Sequence, residues 1–123
     1  MPEIEAELTR LGYTLPPPPA PVGNYLPVTR SGNIMWMAGV GSRTADGPRI
    51  SGKLGSDLTV EQGYEAARWC ALNLLARMKD ELGDLDGVSR ILKVVGMVNS
   101  TPDFGEQARV VDGASDLFVA LFG

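Results

Sequence analysis

The chain has 123 residues and a mass of 13.1 kDa, with 44% hydrophobic and 21% charged residues, a composition suited to one globular domain with a single core. Its net charge of −4 and pI near 4.7 exclude a basic nucleic-acid-binding surface, because counterion release needs clustered Lys and Arg. No window approaches the roughly 18 apolar residues of a membrane span, and the absence of histidine rules out Ser-His-Asp, Cys-His and histidine-metal chemistry as usually built.

The start, Met1-Pro2-Glu3-Ile4-Glu5, is acidic and lacks the basic-then-apolar pattern of a secretory signal. The single cysteine, Cys70, forbids an intramolecular disulfide, so a cytoplasmic location is expected. Glu3 to Leu11 reads as a short helix with Ile4, Leu8 and Leu11 on one side and Gly12 as its stop. Leu15 to Pro21 must be extended, because four consecutive prolines fix φ and remove backbone donors. We read this stretch as a stiff strap across the domain, the alternative being a ligand for a proline-recognising module.

Asn24 to Arg30 and Asn33 to Val40 read as a hairpin closed at Ser31-Gly32. In its second strand Ile34, Trp36, Ala38 and Val40 alternate with Met35, Met37 and Gly39, so both faces are apolar and both need cover. Ser42 to Pro48 is a loop, and Arg49 to Leu54 a short edge strand. Thr59 to Gly83 then carries the clearest signal in the chain: Val60, Tyr64, Ala67, Ala71, Leu74, Leu75, Met78 and Leu82 fall on one face of a helical repeat. Thr59 and Gln62 have capping-box spacing, and Gly83 ends the helix.

After the turn Asp84 to Val88, the run Ile91 to Val98 reads as a central strand, parallel to an earlier one through a right-handed β-α-β crossover. A second helix is expected from Ala114 to Phe122, with Ala114, Leu117, Phe118, Leu121 and Phe122 on one face. The architecture is therefore α+β, a mixed sheet with two helices on one face. Its opposite, apolar face is expected to be buried against further copies of the chain.

Few residues suggest chemistry by themselves. Cys70 lies beside the apolar stripe of the long helix and reads as a packed residue rather than a nucleophile. Gly39-Val40-Gly41 begins like a dinucleotide-binding turn but lacks the third glycine and the following helix. Asp80, Glu81, Asp84 and Asp86 lack the spacing of a calcium loop and read as a solvated helix end, so no metal site is assigned.

The order of Pro21-Val22-Gly23-Asn24-Tyr25, Met37-Ala38-Gly39-Val40-Gly41, Gly52-Lys53-Leu54-Gly55, Ala71-Leu72-Asn73-Leu74-Leu75-Ala76, Leu82 to Val88, Val95 to Val98, Asp103-Phe104 and Asp112-Gly113-Ala114-Ser115 resembles the RidA/YjgF family over nearly the whole chain. The resemblance implies a single RidA-like domain over residues 1–123, with the helix and strap in 1–22 and the core in 23–123. It also implies a chorismate-mutase-like fold and a homotrimer with clefts between subunits. Enamine and imine deaminases of that family hydrolyse 2-imino acids to 2-keto acids and ammonia without a cofactor. The expected partner is a small carboxylate metabolite, with neither nucleic acid nor membrane involved.

By that resemblance Tyr25 matches the family's cleft tyrosine, and Asp112 stands where relatives carry an asparagine. Arg43, in the loop after the second strand, is placed to attract an anion. The plainer readings are a packed aromatic for Tyr25, a helix N-terminal residue for Asp112 and a solvated loop charge for Arg43. Family deaminases use an arginine before the last strands and a glutamate near the C-terminus. This sequence stops at Phe122-Gly123, before both positions, so the core is expected to be C-terminally incomplete and a non-catalytic binding or interaction module is the alternative to an enzyme.

Overall fold

A computed structural model describes residues 3–123, which leaves the Met1-Pro2 part of the chain start outside the described residues. In chain order the elements are α1 (Glu3–Arg10), β1 (Val28–Ser31), β2 (Ile34–Met37), α2 (Val60–Leu82), a 3-10 turn (Leu85–Gly87) and α3 (Gln107–Phe122). The fold is α+β, built around the packing of α2 on α3.

Helix α2 forms where its local signals put it. Thr59 Oγ1 accepts from the Gln62 N–H at 3.2 Å while Gln62 Oε1 accepts from the Thr59 N–H at 2.9 Å, so the capping box closes in both directions. At the other end Gly83, at φ +89°, turns its N–H back to the Lys79 carbonyl. Ala71, Leu75 and Met78 of the expected stripe are buried, and so are Leu72 and Ala76. The buried face is wider than one stripe because α3 covers one flank and the strap and hairpin cover the other. Leu72, Leu75 and Leu85 are almost fully enclosed, each stabilising the fold by about 1.5–3 kcal/mol through burial.

Helix α3 begins at Gln107, seven positions before the expected start at Ala114. Its N-cap, Glu106, makes no side-chain cap bond, and Val110, Val111 and Gly113 are poor helix formers, so the first two turns have weak local signals. Tertiary packing overrides them. Val110 and Gly113 are buried against α2, and a Cβ at Gly113 would collide with the Tyr64 carbonyl oxygen. The glycine permits the two helices to approach this closely.

The N-terminal helix, too short to stand alone, is held from a distance. Asp86 caps it, accepting from the Glu3 N–H at 3.0 Å and the Ile4 N–H at 2.9 Å, and Lys79 pairs with Glu5 at 2.9 Å. Gly12 ends the helical stretch at φ +92°. The carboxylates of the expected solvated helix end thus have structural work: Asp84 caps the 3-10 turn and Glu81 lies 3.8 Å from Arg30.

The sheet is where expectation and structure differ. Strands β1 and β2 pair antiparallel, Val28 with Met37 through Ser31 with Ile34, so the two-residue turn is Gly32-Asn33, one position later than the expected Ser31-Gly32, and the strands are shorter than the spans 24–30 and 33–40. Gly32, at φ +58°, takes the first central position, as glycine does in a type II′ turn. Met35 and Met37 are half-buried against the helices, whereas Ile34 and Trp36 point to the open side, Trp36 being 63% exposed. Residues 91–98 join no ladder, and 49–54 form no strand. The β-α-β crossover survives as one parallel bridge between Leu54 and Ser100, with Leu54 N–H donating to Asn99 and Thr101 N–H donating to Leu54, both at 2.9 Å. A ladder needs a neighbouring backbone along its length, and among the described residues none runs beside 91–98. Leu92, Val95 and Met97 consequently stand exposed.

Candidate functional site

Two buried polar residues of α2, one helical turn apart, organise the side of the domain under the strap. Asn73 and Arg77 are 2% and 4% exposed. Asn73 Nδ2 donates to the Gly41 carbonyl at 3.2 Å and the Arg43 carbonyl at 3.0 Å. Arg77 Nε donates to the Pro19 carbonyl at 3.2 Å, and a terminal nitrogen of its guanidinium donates to the Gly39 carbonyl at 3.4 Å. These two side chains therefore tie the proline strap, the end of the hairpin and the following loop to one helix. The strap reading of residues 15–21 acquires a physical anchor at Pro19.

The loop they hold is a small hairpin. Ser42 Oγ donates to the Ile50 carbonyl at 2.7 Å, Thr44 donates to the Pro48 carbonyl through both its N–H and its hydroxyl, and Gly47 closes the tip at φ +102°. Thr44 N–H to Pro48 and Ile50 N–H to Ser42 flank the pair Arg43 and Arg49, an antiparallel bridge of the non-hydrogen-bonded kind. Residues opposed in that way stand closest, with Cα atoms about 4.5 Å apart, and project to the same face.

Between strap, hairpin end and this loop lies a cavity of about 270 Å³. Its lining includes Tyr25, Arg43, Arg49, Asn73 and Arg77, and no acidic side chain. None of the three arginines has an ion-pair partner among the described residues, which is also true of Lys53, Arg90 and Lys93; Arg43 and Arg49 are exposed at the cavity mouth and Arg77 is buried. Arg77 is the more unusual for being buried, since a guanidinium withdrawn from water ordinarily has a carboxylate beside it. Here only carbonyl oxygens face it. The Tyr25 hydroxyl stands 3.4 Å from the Val22 N–H, and its ring packs on Gly23.

Of the residues singled out from sequence, Tyr25 and Arg43 meet in this cavity, within one chain. Asp112 does not join them. It lies on an exposed face of α3, in the helix's second turn rather than at its N-terminus, so the dipole role expected for it is corrected by the earlier start of α3. It lines a second cavity with Glu61, Tyr64, Arg109 and Asp116. There the Tyr64 hydroxyl donates to Asp116 at 2.7 Å, which pushes the Tyr64 phenol above its ordinary pKa. Burial likewise pushes the Cys70 thiol up, as befits a packed residue and not a thiolate nucleophile. Gly39 and Gly41, rejected as a dinucleotide turn, serve the first cavity with their carbonyls.

Asn73, Arg77 and Arg49 had not been singled out. A detectable signal exists for the first two: polar residues four apart, each embedded between apolar neighbours, share one face of an otherwise buried helix.

Residues 5–123 match the family described as "YjgF/chorismate_mutase-like, putative endoribonuclease". The chain belongs to this family. Protein TCP17 of Trypanosoma cruzi is 43% identical over 120 residues, covering 98% of this chain and 75% of that protein. Among solved structures, the protein Atu1372 of Agrobacterium tumefaciens, of unknown function, is 39% identical with a TM-score of 0.87 over 98% of this chain and 73% of its own. A protein from Shewanella oneidensis MR-1 described as a "putative endoribonuclease" is 33% identical with a TM-score of 0.93, covering 98% and 80% respectively. Among the described residues of this YjgF-family chain, no helix is long and apolar enough to cross a membrane.

Proposed function

We propose that this YjgF-family protein binds small carboxylate metabolites in the arginine-lined cavity and hydrolyses 2-imino acids there to 2-keto acids and ammonia. The observation that carries the reading is the convergence of Arg43, Arg49 and Arg77, none ion-paired, on one cavity with no acidic lining residue. Its volume of about 270 Å³ lies at the lower edge of ordinary ligand pockets, a size for a metabolite. Guanidinium forks match carboxylates by charge and by planar geometry.

In the reaction the arginines hold the substrate carboxylate, and water adds to the imine carbon. The resulting carbinolamine expels ammonia and leaves the keto acid, with no cofactor required. Tyr25, the one hydroxyl-bearing side chain of the lining, is the group best placed to orient the water. The exposed apolar residues Ile34, Trp36, Leu92, Val95 and Met97 support association with further copies of the chain, for which we propose a homotrimer; a cytoplasmic location is part of the same proposal.

A second reading rests on the chemistry of the lining itself. Guanidinium groups and an amide hold an anion by charge and hydrogen bonds, and the lining carries no carboxylate, histidine or lysine to serve as a general base, which suits binding without turnover. Ribonuclease activity, the one carried in the Shewanella protein's description, finds little support in a histidine-free chain of net charge −4. The test generates an imino acid with threonine dehydratase and traps it with semicarbazide. The protein is expected to lower semicarbazone formation from the imine, and unchanged trapping would reject the hydrolytic step.

A further inference from the structure

We infer that the cavity selects a small dicarboxylate, two carboxylates on a short carbon chain, over a monocarboxylate. The inference rests on the reading that this cavity binds carboxylates and specifies how many it takes. Arg43 and Arg49 oppose each other in the closest kind of cross-strand pair, where like charges repel. Backbone bonds and the Ser42 and Thr44 hydroxyls hold the loop, so its geometry does not explain why both positions carry a cation. An anion bridging the two guanidinium groups does.

Arg77 is a separate demand. It comes from α2 rather than from the loop, and it keeps its charge buried with carbonyl oxygens as partners. Arg77 is fixed by the Pro19 and Gly39 carbonyls while Arg43 and Arg49 ride on the loop that Asn73 ties to α2, so the cations reach the cavity from two separate elements. One carboxylate carries a single negative charge against three guanidinium charges, two of Arg77's N–H donors being already held by the Pro19 and Gly39 carbonyls, and leaves two positive charges uncompensated. A second carboxylate a few bonds away answers the cation on the second element. A phosphate, by contrast, concentrates its charge on one centre, whereas two carboxylates divide it between the loop cations and Arg77.

Binding is measured by calorimetry on the full chain at constant ionic strength, with butyrate, succinate, glutarate and inorganic phosphate as probes. Succinate or glutarate is expected to bind at least about tenfold more tightly than butyrate, the scale of one added set of charged hydrogen bonds. Arg49→Gln, and independently Arg43→Gln, should shrink that ratio to within about threefold, with circular dichroism confirming the fold. Equal binding of butyrate and the dicarboxylates, both weakened by Arg77→Met, overturns the inference while leaving the carboxylate reading intact. Phosphate binding more tightly than either dicarboxylate, or a ratio unmoved by both loop variants, also overturns it. If no carboxylate binds, the underlying reading fails and the inference falls with it.

Discussion

Two cavities among the described residues share a volume of about 270 Å³ and have opposite character. The one between the start of α2 and the middle of α3 carries three carboxylates, Glu61, Asp112 and Asp116, beside Arg109; Tyr64 donates to Asp116, and Arg109 pairs with Glu106 outside the lining. The one beneath the strap carries three arginines with no counter-charge. Volume is therefore a poor guide to function in this fold. What distinguishes the second cavity is the sign of its charge, three cations and no carboxylate in a protein whose net charge is negative.

The comparison can be broken most severely at the helix crossing that frames the acidic cavity. Gly113→Ala forces a Cβ into the Tyr64 carbonyl and should destabilise the fold by about 3 kcal/mol, read as a fall in denaturant midpoint. A change under about 0.5 kcal/mol would mean that α2 and α3 part without penalty. Arg77→Met tests the basic cavity. It strands the Pro19 and Gly39 carbonyls, costing about 1–2 kcal/mol, and should lower carboxylate affinity at least tenfold. Binding undiminished by this change places the anion elsewhere.

Tyr64→Phe should cost about 0.5 kcal/mol and leave anion binding unmoved, which sharpens the contrast between the cavities. The Tyr64 pKa is raised above 10.0 chiefly by its bond to Asp116, so the folded state holds this proton more tightly than the unfolded state does. The stability that this contributes is full below the unfolded value and is lost as pH rises through the folded one. The Phe variant should lose that alkaline component in a stability-versus-pH titration. The smallest effect concerns Cys70, whose thiol is pushed up by burial: its alkylation at pH 8 should run about tenfold or more below that of a free thiol, and rapid labelling would contradict the packed placement.

Much of the helical framework was legible because its signals are local. Thr59, Gln62 and Gly83 bound α2 within a residue of expectation, and the apolar spacing of Leu117, Phe118 and Leu121 marked the second half of α3. The first half was hidden by Val110, Val111 and Gly113, which are helix-poor by propensity and helical by packing. Ile91 to Val98 had the composition of a central strand, but composition supplies side chains and not a neighbouring backbone. Of the residues lining the basic cavity, Tyr25 and Arg43 are singled out by sequence and Arg77 is not, because periodicity assigns a lone charge on a helix to solvent.

The amino-acid order alone set the long helix, the hairpin turn at Gly32 and the extended strap, since capping, positive φ and proline geometry act over a few residues. Only the folded chain decided that Arg43, Arg49 and Arg77 face one space and that Asp112 faces another. Those placements depend on how α2 meets the strap and the 42–50 hairpin, contacts between segments up to 58 positions apart in which each side chain's partners lie far along the chain.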